Sequence, residues 1–264
     1  MSLPSFTMPR EAFAAAMQSL GRVTKKNMLP AISRSVYVET ANGFVTFRAT
    51  NLTSFAEMTY PASTNKEGAA IVSIDPLIAL SSGGNGTVTL SPDAARLRMQ
   101  TNEGEHRMNA LDPDEFPVMQ QADVTPLFSI NSDLFAATIR KVSYAASKDE
   151  TRPILTGVSI VGANNKITFS AADGFRLATA TLDVPIERDF TILPSAVLLA
   201  EALAVLPKAA IVEVGLADMR LVVTSGDSLI MVNTIPGNAP DFARLIPVSP
   251  PVMATVDSVA LLRA

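Results

Sequence analysis

The sequence of 264 residues contains no cysteine, no tryptophan and one histidine, His106. Without cysteine there is no disulfide framework and no thiolate metal site. A Ser-His-Asp arrangement would have to use His106, yet no G-x-S-x-G elbow accompanies it. His106 lies in the polar stretch "EGEHRMNAL" and is expected in solvent, in a turn-like segment. No G-x-x-x-x-G-K-[ST] occurs. The glycine-rich "SSGGNG" at residues 81–86 lacks the lysine and the following helix, and reads as a turn. The carboxylates of "LDPDEF" and "SKDETR" sit among prolines and other charges, which suits turns better than a buried acid–base pair. These absences leave no candidate catalytic residue, no metal site and no cofactor.

Long apolar runs are also missing. None approaches the ~18 residues of a membrane span, and the N-terminus lacks the basic-then-apolar pattern of a secretory signal. The expected address is the cytoplasm, with no membrane partner. The triplet "NLT" at Asn51 fits a glycosylation sequon, but such triplets arise often by chance. Basic excess is absent too: 21 basic against 25 acidic side chains give a net charge of −4. Proteins that bind DNA by overall charge are usually basic, so a nucleic-acid partner requires basic residues gathered on one surface. Hydrophobic residues make up 48% of the chain, enough for a packed core.

What is present is repetition. "SFTMPREAFAAAM" (5–17) and "LFSINSDLFAATI" (127–139) each read as a short strand, a capping region and a helix. Phe13, Met17 and Leu20 fall on one helical face, and Phe135, Ile139 and Val142 repeat it. Pro9 suits the start of the first helix, and Asn131 or Ser132 can cap the second. In both copies a proline, a β-rich run, an Asn turn ("ANG", "ANN") and further alternating segments follow. A second helix is expected from Asp75-Pro76 in "SIDPLIALSS" and from Pro194 to Pro207 in "LPSAVLLAEALAVLP". Each copy then runs through three more strands to a closing segment, where Phe116 matches Phe242.

The expected unit is thus β-α-β-β-β-α followed by several strands, twice. This predicts an α+β fold with two helices packed on antiparallel sheet in each copy, and sheets continuous across the boundary. The final "MATVDSVALLRA" (253–264) aligns with "FSINSDLFAATI", after the proline-rich "IPVSPP". It reads as the opening of a third copy that stops after about one turn. The expected domains are residues 1–122, residues 123–248, and 249–264 as linker and start of a truncated third unit.

Repeats of this kind resemble the bacterial DNA sliding clamp, the β subunit of DNA polymerase III. "KDETRPILTGVSI" (148–160) and "AADGFRLATATL" (171–182) are similar to the family's "xDETRPxLxGV" and "ATDGHRLA"; "LPAISRSVYVE", "ATNLTSFAEM" and "GNAPDFARLIP" are weaker echoes. The resemblance covers essentially the whole chain and about two-thirds of the family's length. It implies a clamp fold and a non-catalytic processivity factor. In the family, two subunits close head to tail into a ring around duplex DNA, with helices lining the hole. The ring tethers polymerase and is opened by a clamp loader, both through a short linear peptide.

By position, Arg22, Lys25 and Lys26 in "GRVTKKN", with Arg140, Lys141 and Lys148, are the candidate DNA-facing residues. The matching peptide-cleft positions are Leu155, Ala172, Gly174, Phe175, Arg176, Leu177, Pro240, Arg244 and Leu245. Ala172 stands where threonine is common and Phe175 where histidine is, which implies an altered peptide preference. Two other readings stay open: a two-domain clamp closing as a trimeric ring, and a ligand-binding protein on the same fold.

Overall fold

The structure is a computed structural model that describes residues 2–24, 31–117, 123–203, 205–206, 210–237, 239–247, 252 and 254–263. β1 (Ser5–Pro9) leads into α1 (Arg10–Val23) and a 3-10 turn (Ala31–Arg34). β2 (Ser35–Ala41), β3 (Phe44–Thr50), β4 (Ser54–Pro61), β5 (Ser63–Lys66) and β6 (Gly68–Ser73) precede α2 (Ile74–Ser81). β7 (Thr87–Asp93), β8 (Arg96–Thr101) and β9 (Gly104–Asn109) complete this half. The order then recurs. β10 (Thr125–Asn131) leads into α3 (Ser132–Ser143) and a 3-10 turn (Pro153–Thr156). β11 (Ser159–Ala163), β12 (Lys166–Ala172), β13 (Leu177–Asp183) and β14 (Phe190–Ile192) precede α4 (Ala196–Leu203), followed by β15 (Ile211–Ala217), β16 (Arg220–Ser225) and β17 (Ser228–Asn233). A 3-10 turn closes each half, Pro113–Glu115 and Phe242–Leu245, beside a buried phenylalanine, Phe116 or Phe242. α5 (Ser258–Arg263) starts at Asp257, whose Oδ1 accepts from the Ala260 N–H at 2.8 Å.

The paired helical faces form as expected: Phe13, Met17 and Leu20, and likewise Phe135, Ile139 and Val142, are fully buried. Asn131 caps α3, its Oδ1 accepting from the Asp133 and Leu134 N–H groups. Asn42–Gly43 and Asn164–Asn165 turn the β2–β3 and β11–β12 hairpins with positive φ, the conformation that hairpin turns with matching twist require.

Three expectations need correcting. Each half has an extra strand directly before its second helix, β6 or β14, and the first half also has β5. α2 begins at Ile74, one residue earlier than Asp75, because β6 runs straight into it through Ser73; Asp75 instead pairs with Arg34. α4 begins at Ala196, since Pro194 is held in a bridge to Thr234. His106 is exposed as expected, on strand β9. Pro207, Lys25 and Lys26 lie outside the described residues.

Strands assemble into three antiparallel sheets, ordered β5-β1-β7-β8-β9, β10-β15-β16-β17-β4-β3-β2-β6 and β13-β12-β11-β14. The eight-stranded sheet joins the halves: β17 pairs with β4 from Ser228↔Met58 to Val232↔Ser54. At this junction both faces are covered. Ile230, Val232, Ala56 and Met58 face the helices, while Met231, Val222 and Phe55 pack with Ile71, Phe116 and Ala217 on the other side. Two-sided burial accounts for the unbroken apolar run "LIMV" in β17, where a half-exposed strand would alternate. The four longer helices follow one another in contact, α2 against α1, α1 against α4 and α4 against α3.

Arg10 fastens α2 to the first sheet. Its side chain is almost fully buried. Nε donates to Ser81 O at 3.3 Å, and Nη2 donates to Leu80 O at 3.0 Å and Glu103 Oε2 at 2.9 Å. A cation at a helix C-terminus satisfies carbonyls that have no partner within the helix. The "SSGGNG" loop folds over this guanidinium. A Cβ on Gly84, which has φ +131°, would lie 2.5 Å from Arg10 Nη1 and 2.8 Å from Glu103 Oε1. Gly84→Ala should therefore lower stability by about 1–2 kcal/mol, from strained backbone and the displaced ion pair. Denaturant unfolding of the two proteins checks this, and an unchanged midpoint would contradict it.

Candidate nucleic-acid interface and peptide cleft

The helix row carries its basic residues at helix ends. Arg22 is exposed in the last turn of α1, and Arg140 and Lys141 are exposed in the last turn of α3. Lys148 is exposed in the loop after α3. Cations at helix C-termini also complement the macrodipole, so fold and interface favour the same placement. The other exposed residues of α1 are Glu11 in its first turn, Ala15 and Gln18. α2 and α4 carry no basic residue.

The cleft positions gather around the turn between β12 and β13. Asp173 Oδ1 accepts from the N–H groups of Phe175 (2.9 Å) and Arg176 (3.0 Å), and Gly174 at φ +97° lets the chain double back. The outcome is that Phe175 stands 97% exposed. Leu155 belongs to the neighbouring 3-10 turn and is half-buried. Its carbonyl accepts from the Ser147 N–H at 2.8 Å, tying the loop of Lys148 to this wall. Ile154 approaches Gly237, which brings in the segment leading to Pro240, itself exposed. Leu177 opens β13, half-buried, whereas Ala172 is buried at the end of β12 and presents no surface. Arg244 pairs with Asp241 inside its own 3-10 turn, and Leu245 is 62% exposed beside it. Two residues escaped sequence reasoning. Arg152 reaches toward Gly174 from across the cleft, and the Tyr144 ring lies under the Arg176 guanidinium.

The N–H donors of Phe175 and Arg176 hold the Asp173 carboxyl below the usual carboxylate range, with the Arg176 charge assisting. A depressed folded value means the loop gains support above the unfolded pKa of about 3.9 and loses it as pH falls through the lower folded value. The Phe175 and Arg176 amide resonances should thus hold constant from neutral pH down to about 4 and move only below it. A transition centred above that pH would contradict this.

Among the described residues no helix is long and apolar enough to cross a membrane, and no group of three or more His, Cys, Asp or Glu is placed to hold a metal ion. The sequence model for the DNA polymerase III beta subunit, central domain, matches residues 129–241. The chain is 30% identical over 152 residues to the beta sliding clamp of Bacillus subtilis, covering 56% of this chain and 40% of that one. It is 23% identical over 246 residues to the beta sliding clamp of Chlamydia pneumoniae, covering 91% and 67%. The crystal structure of the Bacillus subtilis DNA polymerase sliding clamp superposes with a TM-score of 0.87 at 21% identity, covering 93% of this chain and 68% of that one. The matched stretch spans from 40% to 68% of the length of these three proteins. Residues 129–241 are thus similar to the central domain of DNA polymerase III beta subunits, and 93% of the chain shares the fold of a bacterial sliding clamp.

Proposed function

We propose that the chain acts as a DNA polymerase processivity factor, a non-catalytic clamp unit of a homo-oligomeric ring around duplex DNA in the cytoplasm. Residues 1–122 and 123–248 serve as successive clamp domains, and 249–264 as the linker and start of a further one. The observation that carries this reading is the row of contacting helices, of which α1 and α3 end in basic residues, together with a sheet that runs from one half into the other. A ring holds DNA by topology, so a few weak phosphate contacts are enough, which reconciles function with a net charge of −4. Arg22, Lys25, Lys26, Arg140, Lys141 and Lys148 supply those contacts. The Phe175 loop with Leu155, Leu177, Pro240, Arg244 and Leu245 offers an apolar anchor for a short linear peptide of the polymerase catalytic subunit and the clamp loader.

Primer extension on a single-primed circle, with the cognate polymerase, loader and ATP, tests the proposal. Adding the protein should lengthen products made in one binding event. Product lengths that do not change would overturn it.

A further inference from the structure

Tyr144 follows directly after α3, and its side chain is 62% exposed. It lies off the apolar face that Phe135, Ile139 and Val142 bury, so core packing does not explain the ring. The Arg176 Cζ lies 5.7 Å from the ring centroid. Arg176 Nε donates to Asp173 Oδ2 at 2.9 Å, and this is its one ion pair among the described residues. The two Nη groups make no hydrogen bond among the described residues. An exposed arginine normally samples many rotamers, and ordering it on binding has an entropic cost. Here the Asp173 carboxylate on the edge and the Tyr144 ring beside Cζ restrict the guanidinium, with its outer donors open.

We propose that Tyr144 is a positioning residue of the peptide site, holding the Arg176 guanidinium flat so that its Nη groups meet acceptor oxygens of an extended peptide anchored on Phe175. The acceptors are a main-chain carbonyl or a terminal carboxylate, because a planar guanidinium suits oxygen pairs. The inference rests on the proposed reading of the Phe175 loop as a peptide site. Through Tyr144 that site shares one helix end with Arg140 and Lys141, so the peptide side and the proposed DNA side meet at the end of α3.

The test is fluorescence anisotropy with a fluorescein-labelled peptide copied from the C-terminal tail of the cognate polymerase catalytic subunit. Tyr144→Leu keeps apolar cover but removes the π face, and should weaken binding roughly 2- to 5-fold, as an exposed cation–π contact predicts. Tyr144→Phe keeps the face and should bind like the parent. In an Arg176→Ala background, Tyr144→Leu should have no further effect, which a merely structural role would not produce. Phe175→Ala separates the two levels of the argument. If Phe175→Ala weakens binding while Tyr144→Leu does not, the positioning role is overturned and the peptide site stands. If Phe175→Ala leaves affinity unchanged, the peptide-site reading falls and the positioning role with it. Equal losses for Tyr144→Leu and Tyr144→Phe would also overturn it, since the hydroxyl and not the face would then matter.

Discussion

Replacing Arg140 and Lys141 together with glutamate should weaken binding to a short duplex by on the order of 50-fold at about 0.1 M salt. Both side chains are exposed in the last turn of α3. Each phosphate contact contributes about 0.9 to the slope of log affinity against log salt, so losing two should flatten that slope by about 1.8. The same two contacts give the affinity loss, because near 0.1 M each accounts for a factor of about eight. Folding should be unaffected, since neither residue contributes to the core. Affinity measured across a salt series checks both numbers. A loss of affinity with an unchanged slope would mean that the variant perturbs structure and not phosphate contact.

Phe175→Ala should weaken a clamp-binding peptide by about 30-fold, the 2 kcal/mol expected of an aromatic anchor at the centre of an interface. No other large apolar side chain named among the described residues is as exposed, and its loop is held by two backbone hydrogen bonds to Asp173 and by Gly174. The loop backbone meets a ligand already ordered, so less entropy is lost on binding. Because Phe175 buries almost nothing in the free protein, thermal stability should stay the same. A second comparison follows from Leu245 and Ile246, which are exposed on the far side of Pro240. A chain extended by a complete further repeat should cover more of these side chains and bind the peptide more tightly. Equal affinity at both lengths would mean that the cleft lies wholly within residues 123–248.

Much of the fold was legible because its signals are local. Faces such as Phe13-Met17-Leu20 announce helices by period alone, and Asn-Gly or Asn-Asn pairs announce hairpins by the positive φ they tolerate. What escaped depends on distant partners. β14 has three residues and exists through its pairing with β11, and β6 is a Gly-Ala-led edge strand held by β2. The helix starts at Ile74 and Ala196 were misjudged because proline at a first turn is a strong local cue, while the strand entering each helix sets the true boundary. Proximity in the sequence motif hid that Ala172 points inward while Phe175 points out, a matter of strand parity and turn geometry. Tyr144 was missed for the opposite reason: its partner, Arg176, lies far along the chain, and no periodicity links them.

The central claim is that this protein contributes to a ring that DNA threads. The most direct measurement is retention on closed against linear DNA. The protein is loaded onto a nicked circular plasmid with the cognate loader and ATP, then passed through a sizing column at high salt, where phosphate contacts are screened. The account predicts that protein co-elutes with the circle and is lost once a restriction enzyme linearises it, because only topology resists salt. Retention that is equal on circular and linear DNA, or absent from both, would contradict it.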